Sequence, residues 1–434
     1  MKAVKMGGGL MRLFGGGCPA AGQPACQPAG PGTGIWPLLL GLLLLAGWVA
    51  GCAAPKEKVV LELAPAGHPD FTDDMRFDGL EESLRASLSY LQRVPADKEF
   101  RFGEDRYSAA HMVRSMDLFL AFIQTRPSDE ELNRFIRDNY RVYRSVGGGP
   151  EKDVLFTGYY EPLLTGRRQP DAVYRVPILG RPDDMLTIDL AAFSDKYSGV
   201  KLTGRLAGRT IVPYFARKDI EETGVLEGKA PVLAWLASPV DLFFLQIQGS
   251  GRVLLDDGAP LFVHYDSTNG RPYRSVGRLL ADDGKIPLSE MSMQRIRSYL
   301  ADHPQEVRDI LNYNPSYVFF RIEKEGPLGF LEVKLTPGRS VALDYRLFPL
   351  PALAYIETQK PLLDAGGQIS DWQAFGRFVL SQDTGGAIRG PARADLFWGN
   401  GPYAETAAGH MRQRGNLFLL VLKPEKDTEG VAKK

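Results

Sequence analysis

One stretch near the C-terminus decides the fold of the last third of the chain: Gln382-Asp383-Thr384-Gly385-Gly386-Ala387-Ile388-Arg389-Gly390-Pro391-Ala392-Arg393-Ala394-Asp395-Leu396-Phe397-Trp398-Gly399. Two aspartates in it, Asp383 and Asp395, bracket eleven residues that include three glycines and a proline. The apolar run 375–380 before the stretch predicts a strand, and between the aspartates there is no helical period. The stretch therefore predicts a long glycine loop with a carboxylate at each end, which lets backbone approach a ligand closely.

The position of Asp395 favours a chemical role for this carboxylate. Asp is common in glycine-rich turns because its side chain bonds nearby backbone N–H groups, and both aspartates also fit that alternative. Asp395, however, directly precedes the large apolar residues 396–398, where a strand entering the core does not ordinarily need a carboxylate. We therefore take Asp395 as a candidate catalytic residue.

Residues 1–51 predict a lipoprotein signal peptide. Three cations and no acid lead into the apolar segment 38–46, which is too short to span a bilayer comfortably. The segment is followed by Val49-Ala50-Gly51-Cys52, small residues before a cysteine. Cleavage before Cys52 would leave its thiol to carry a lipid, and alanine rather than aspartate at position 53 favours the outer membrane. The alternative is an ordinary secretory signal, with Cys52 incidental.

After that cleavage Cys52 is the only cysteine left, because Cys18 and Cys26 lie in the removed segment. The mature chain then has no internal disulfide, no cysteine-based metal site and no cysteine nucleophile. Loss of three cations from a neutral chain leaves a formal charge of −3. There is no basic field that would indicate nucleic acid as a partner.

Three amphipathic segments predict an N-terminal helical part: 79–92, 108–124 and 128–143. Ser108 and Ser128 are candidate N-caps, and acids in the first turn follow Ser128. Further helices are predicted at 290–300 and 305–311, and a strand at 317–322.

From residue 147 the chain turns to short β-like runs between Gly, Pro and Asp clusters. The first run predicts a strand that ends at Gly158 with Tyr159 and Tyr160 adjacent. Neighbouring side chains of a strand point to opposite faces, so one ring can pack in the core while the other meets a sugar. Ordinary aromatic packing of both rings is the equal alternative.

A second run, 240–252, predicts another strand. Gln246 and Gln248 then share a face, from which two amides can reach a polar ligand. The sequence Gly249-Ser250-Gly251 predicts a tight turn after them. The run lacks the pattern of a phosphate loop, and the three later histidines lack metal-ligand spacing, so neither a nucleotide site nor a metal site is expected.

Six motifs stand in order along about 270 residues, between Leu155 and Leu422. They are Thr157-Gly158-Tyr159-Tyr160-Glu161-Pro162, Gln246-Ile247-Gln248-Gly249-Ser250-Gly251, Tyr273-Arg274-Ser275-Val276-Gly277, Met291-Ser292-Met293-Gln294, Asn314-Pro315-Ser316-Tyr317-Val318-Phe319-Phe320 and the loop from Asp383 to Asp395. Together they resemble the membrane-bound lytic murein transglycosylase A family.

The resemblance implies a mainly β protein with an N-terminal helical part. A double-psi β-barrel domain would carry a second, smaller β-barrel inserted into it, with a groove between them for a glycan strand. The expected boundaries are a signal peptide at 1–51, a tether at 52–74, the helical region and first barrel strand at 75–160, the inserted domain at 161–322, the catalytic three-aspartate part of the barrel at 323–424 and a disordered tail at 425–434.

The activity that the resemblance implies is cleavage of the β-1,4 bond between N-acetylmuramic acid and N-acetylglucosamine in peptidoglycan. It gives a 1,6-anhydro product and needs no cofactor. Asp395 matches the family's catalytic acid, and Asp383 and Asp344 match the other two aspartates, with supporting roles. Substrate contacts would come from the motif residues Thr157, Gly158, Tyr159, Tyr160, Gln246, Gln248, Gly249 and Ser250. Cell-wall synthesis proteins are possible partners.

Two other functions stay open. A non-catalytic lipoprotein could bind peptidoglycan through the same groove, but it would not need Asp395. A muramidase-type hydrolase would use Asp383 as its base and would leave a reducing end instead of an anhydro ring.

Overall fold

A computed structural model describes residues 60–64, 69–150 and 152–424. The expected signal peptide, the lipidation site Cys52 and the C-terminal tail lie outside these ranges. Within them, no helix combines the length and the apolar character that crossing a membrane requires.

The N-terminal part of the described chain is mostly helical. Its elements are β1 (Leu61–Leu63), α1 (Leu80–Leu91), β2 (Glu99–Phe102), β3 (Asp105–Ser108), α2 (Ala109–Ile123), α3 (Asp129–Asn139), β4 (Tyr140–Ser145) and β5 (Val154–Tyr159).

The second and third N-terminal helices begin where their caps predict, whereas α1 follows Gly79 without a side-chain cap. Ser108 accepts a hydrogen bond from the His111 amide at 3.2 Å, and Ser128 and Glu131 form a capping box. The prediction of a third helix as far as residue 143 is wrong at its end. The residues from Tyr140 instead pair with a C-terminal strand as β4, so the chain leaves the helix at Asn139.

A second group of strands and helices follows β5. Its elements are β6 (Leu163–Thr165), β7 (Val176–Leu179), β8 (Leu186–Asp189), β9 (Lys201–Ala207), β10 (Thr210–Pro213), α4 (Arg217–Glu222), β11 (Val232–Leu236), α5 (Pro239–Gln248), β12 (Ser250–Leu254), β13 (Pro260–Thr268), α6 (Val276–Asp282), α7 (Met293–Asp302), α8 (Val307–Asn312) and β14 (Val318–Glu323).

Six strands of this group form a small barrel, while β8, β9 and β10 make a separate three-stranded sheet. Strands β6, β12, β13 and β14 make a four-stranded sheet, and β7 pairs with β11. Single bridges join Gly180 to Phe320 and Arg167 to Trp235, and they link the two sheets into a ring. The ring encloses its own apolar cluster, which includes Ile178, Leu245 and Val263. An inserted second barrel is therefore confirmed.

The prediction of a strand at 240–252 is wrong for most of that run. Ser238 caps a helix, α5, which starts at Pro239 and ends at Gly249 with φ of 81°. A continuous apolar run does not distinguish a buried helix from a strand. Three local signals favour a helix over a strand here: Ser238 as N-cap, Pro239 in the first turn and Gly249 in the left-handed conformation at the end. The predicted Gly-Ser-Gly turn is also wrong, since Ser250 already begins β12.

The last part of the chain returns to the first barrel. Its elements are β15 (Ser340–Ala342), β16 (Leu353–Leu363), β17 (Ile369–Asp383), β18 (Arg393–Phe397), α9 (Pro402–His410) and β19 (Arg412–Leu422). Six strands close this barrel in the order β19-β16-β17-β15-β18-β5, because β5 also pairs with β19. The strand predicted at 375–380 lies within β17, and the predicted glycine loop joins β17 to β18 at 384–392. The mainly β fold with an N-terminal helical part is confirmed.

A buried ion pair ties the N-terminal segment to this barrel. The two terminal nitrogens of the Arg339 guanidinium group reach Asp73, at 2.7 and 2.8 Å, and both side chains are almost fully excluded from water. Arg339 also donates to the carbonyls of Asp78 and Phe378. A charge that is buried this completely depends on its partner, because water cannot replace it.

Replacement of Asp73 by Asn should therefore destabilise the protein strongly. We expect a loss of about 3–5 kcal/mol in the free energy of unfolding, because Arg339 would remain buried without its counter-ion. Urea titration followed by circular dichroism measures this change. Glu81→Gln, which removes an exposed pair with Arg85, is the matched control and should barely move the midpoint. Equal, small effects of the two substitutions would contradict the account.

Candidate active site

The strand pairing of the barrel places Asp395 beside Thr157. β18 runs parallel to β5, and Asp395 is the register partner of Thr157. The neighbours Ala394 and Leu396 point into the main core. Asp395 lies on the opposite face, where Tyr159 and Phe397 belong to a small separate apolar cluster. The carboxyl thus sits at the edge of an apolar patch while keeping partial access to solvent.

One donated hydrogen bond fixes the orientation of the Asp395 carboxyl. The Thr157 hydroxyl donates to Oδ1 of Asp395 at 2.6 Å. A guanidinium nitrogen of Arg393 donates to the same hydroxyl at 3.4 Å, so the hydroxyl hydrogen is directed at the carboxyl. Because Oδ1 accepts this hydrogen, a proton on Asp395 resides on Oδ2.

Burial raises the pKa of the Asp395 carboxyl to about 6. The hydrogen bond from Thr157 and the positive charge of Arg393 act against this shift, and the negative charge of Asp383 adds to it. A carboxyl with such a pKa carries its proton in a substantial part of the molecules at mildly acidic pH. It can therefore serve as a proton donor.

Asp383 has a different environment, because three donors hold its carboxylate. The Tyr159 hydroxyl donates to Oδ2 at 2.8 Å, and the backbone amides of Phe330 and Thr384 donate to Oδ1 at 2.9 and 2.8 Å. Burial raises the pKa of Asp383, while these three bonds oppose the shift. Burial prevails, so the pKa of Asp383 stays above its usual value, but with both oxygens already accepting, the carboxyl is poorly placed to pass a proton to a substrate.

Tyr159 and Gly158 serve the packing around these carboxyls. The Tyr159 ring packs on Phe397 at 5.2 Å between centroids, so the hydroxyl that binds Asp383 is held by a buried ring. A Cβ atom at Gly158 would lie 2.7 Å from the Trp398 ring and 2.8 Å from Cα of Ala408. Glycine at this position lets α9 and Trp398 approach β5 closely.

Asp344 binds the far end of the glycine loop. Its carboxylate accepts two bonds from the Arg346 guanidinium group, both at 2.9 Å, and one from the Gly390 amide at 2.9 Å. Burial alone would raise the pKa of Asp344, but these bonds hold the pKa below its usual value. Its contacts are those of a residue that shapes the loop leading to Asp395.

Tyr160 faces away from the two carboxyls. Its side chain lines a cavity of about 320 Å³ together with Arg297 and Glu405, and neither Asp383 nor Asp395 belongs to that lining. Its pKa is raised by burial and by the neighbouring Glu405. The two adjacent tyrosines thus occupy opposite faces, as predicted, but both rings are buried.

The two glutamines do not form the shared polar face that the sequence predicted. On helix α5, Gln246 is buried and binds the side chain of Arg217 at 2.5 Å. Gln248 accepts a hydrogen bond from the Tyr160 amide at 3.0 Å, so it ties the end of α5 to the end of β5. Ser250 is buried and pairs with His264 in the second barrel.

Two residues of the site escaped the sequence reasoning, Phe330 and Arg393. Phe330 is separated from Asp383 by 53 positions and contributes a backbone amide. A motif of side chains cannot predict such a contact. Arg393 does stand two residues before Asp395, and the alternation of a strand would have placed both on one face. In the described ranges no three His, Cys, Asp or Glu side chains are grouped so that they could hold a metal ion.

Comparison with known proteins gives two domain matches. Residues 155–321 match the family described as MltA specific insert domain, and residues 339–421 match the 3D domain. Among solved structures, the membrane-bound lytic murein transglycosylase of Agrobacterium tumefaciens is 32% identical with a TM-score of 0.68, over 86% of this chain and 99% of that one. MltA from Neisseria gonorrhoeae is 29% identical with a TM-score of 0.60, over 80% and 87%.

Two curated relatives are named membrane-bound lytic murein transglycosylase A. The Escherichia coli protein is 33% identical over 286 residues, which are 65% of this chain and 70% of the relative. The Vibrio cholerae protein is 32% identical over 313 residues, which are 69% of this chain and 76% of the relative. The chain described here belongs to the membrane-bound lytic murein transglycosylase A family.

Proposed function

We propose that the chain is a lytic transglycosylase that cleaves the β-1,4 bond between N-acetylmuramic acid and N-acetylglucosamine in peptidoglycan and forms a 1,6-anhydro ring. Membership of the family supports the reaction class. The observation that carries the finer proposal is the contrast between the two carboxyls. Burial raises the pKa of both, but Asp395 accepts one side-chain hydrogen bond, on Oδ1, whereas three donors already occupy the two oxygens of Asp383.

Asp395 acts first as a general acid. Its Oδ2 proton passes to the glycosidic oxygen, the bond from that oxygen to C1 of the muramic sugar breaks, and positive charge develops at C1. A negative charge on Asp383, which also raises the pKa of Asp395, would favour this positive charge electrostatically. The Thr157 hydroxyl, bound to Oδ1, keeps the reactive oxygen turned outward.

The same carboxyl then acts as a base. The C6 hydroxyl of the muramic sugar attacks its own C1, and Asp395 takes the hydroxyl proton, which restores the acid. Since the nucleophile belongs to the substrate, its attack is intramolecular and needs no second activating carboxylate. One titratable group therefore completes the cycle, and no water is consumed.

The remaining motif residues have supporting roles in this proposal. Thr157 and Tyr159 position the two carboxyls, and Asp344 shapes the loop between them. Gly158, Tyr160, Gln248 and Gly249 contribute by fixing the end of β5 against α5 and α9, rather than through direct contacts with sugar.

We further propose that the enzyme faces the periplasm. The relatives are named membrane-bound. In this chain the anchor would be a lipid on Cys52, with the outer membrane as its location. Such an anchor would hold the barrel within reach of glycan strands and of cell-wall synthesis proteins.

Asp395→Asn should lower the rate of product release from purified peptidoglycan by about 10²–10⁴-fold, because asparagine cannot donate the proton. Mass spectrometry of the digest measures this, and the wild-type products should be one water lighter than those of a hydrolase. Asp371→Asn, on the exposed part of β17, controls for the loss of a carboxylate and should keep its activity. Full-mass reducing products from the wild type would show hydrolysis, and near-normal release by Asp395→Asn would remove Asp395 from the role of acid.

The activity should depend on the protonated form of Asp395. With the pKa of Asp395 at about 6, kcat/KM should fall about tenfold per pH unit above that value. Asp383→Asn removes a negative charge that raises the pKa of Asp395, so the falling limb should move to lower pH. Rates measured from pH 4.5 to 8 test both statements. A limb that stays in place in Asp383→Asn would refute the coupling of the two carboxyls.

The raised pKa also has a consequence for stability. The native pKa of Asp395 lies above the unfolded value of 3.8, so the stabilisation present at low pH is lost as pH rises through about 6. Asn cannot ionise. Asp395→Asn should therefore be more stable than the wild type by up to about 3 kcal/mol at pH 7.5, and by much less at pH 4.5. Urea unfolding at the two pH values measures this. A stability difference between the two proteins that does not change with pH would contradict a raised pKa of Asp395.

A further inference from the structure

Two aromatic rings next to the carboxyls are stacked on each other in contact with water. The centroids of Phe330 and Tyr345 lie 5.3 Å apart and their planes meet at 27°. Phe330 is 52% exposed and Tyr345 is 48% exposed. Each ring has one face against the other, which leaves the outer faces available. Burial of these surfaces would be favourable, so exposure of a stacked pair beside a reactive group indicates a binding surface.

A hydrogen bond holds the Phe330 backbone against Asp383, the carboxyl near Asp395. The Phe330 amide donates to Oδ1 of Asp383 at 2.9 Å. The segment around it is a turn, in which Leu328 bridges to Lys334 and the Gly329 amide binds the Val333 carbonyl at 2.9 Å. The position of the Phe330 ring is thus set by a closed turn and by the same carboxylate that lies near Asp395.

Tyr345 is fixed by its two neighbours in sequence. Asp344 before it is buried and binds Arg346 after it through two bonds of 2.9 Å. Asp344 also accepts a hydrogen bond from Gly390 in the glycine loop. The ring of Tyr345 therefore projects from an anchored backbone. Binding of a ligand to this ring would cost little conformational entropy.

We propose that Phe330 and Tyr345 form a stacking subsite for a pyranose ring of the glycan strand, next to the bond that is cleaved. A pyranose presents C–H groups on its face and hydroxyl groups around its rim. The flat aromatic pair can pack against the C–H face of the sugar. The Asp383 carboxylate, which binds the Phe330 backbone amide, would then lie near the hydroxyl groups of the rim. The proposal rests on the proposed function, because it takes the glycan strand as the ligand.

Replacement of either ring should weaken sugar binding more than turnover. In an Asp395→Asn background, Phe330→Ala and Tyr345→Ala should each raise the Kd for an oligosaccharide of six N-acetylglucosamine units about tenfold, which corresponds to about 1.4 kcal/mol. With Asp395 present, KM for glycan strands should rise about tenfold and kcat should change less than KM. Isothermal titration calorimetry and initial rates measure these effects.

Phe193→Ala provides the matched control, since Phe193 is 75% exposed in the second group of elements and its loss should not alter Kd or KM. A Kd in the Phe330 and Tyr345 variants equal to that of the parent would overturn the subsite. So would a loss confined to kcat, because the turn would then act through Asp383 and not through stacking.

The failure of the proposed function gives a different result. If the wild type releases no anhydro product but the two substitutions weaken oligosaccharide binding, the subsite stands and the reaction assignment falls. If the wild type releases anhydro products and both variants bind normally, only the subsite is refuted.

Discussion

The parallel pairing of β5 with β18 is the constraint on which the rest of the site depends. It brings Thr157 and Asp395 within 2.6 Å of each other, although 238 positions separate them in the chain. Parallel strands cannot be joined by a tight turn, so the chain between them must make a long crossover. Here that crossover contains the whole second barrel and three of the six strands of the first. The pair of Thr157 and Asp395 therefore forms only when both strands are in place.

Asp383 and Asp395 lie in the same apolar surroundings but differ in the number of hydrogen-bond donors around them. Burial acts on both and favours the neutral form. Asp383 receives three hydrogen bonds, which favour its charge, whereas Asp395 receives one. The pair is thus divided into a held carboxylate and a carboxyl that can carry a proton. This division is what a reaction with one acid and an internal nucleophile requires.

The sequence predicted the parts of the fold that depend on local patterns. The caps Ser108 and Ser128, the glycine loop and the strand before it all follow from short-range signals. The error at 240–252 arose because a continuous apolar run fits a buried helix as well as a strand. The amide of Phe330 and the stacking with Tyr345 depend on long-range approach through backbone, and no residue pattern specifies that.

In the proposed mechanism one carboxyl suffices because water is not the nucleophile. Digestion of purified peptidoglycan in water enriched in ¹⁸O tests it most directly, with mass spectrometry of the released muropeptides. Intramolecular attack by the C6 hydroxyl predicts products that carry no ¹⁸O from the solvent. Incorporation of one ¹⁸O atom per cleaved bond would mean that water attacks C1, and the account of a single acid would then be wrong.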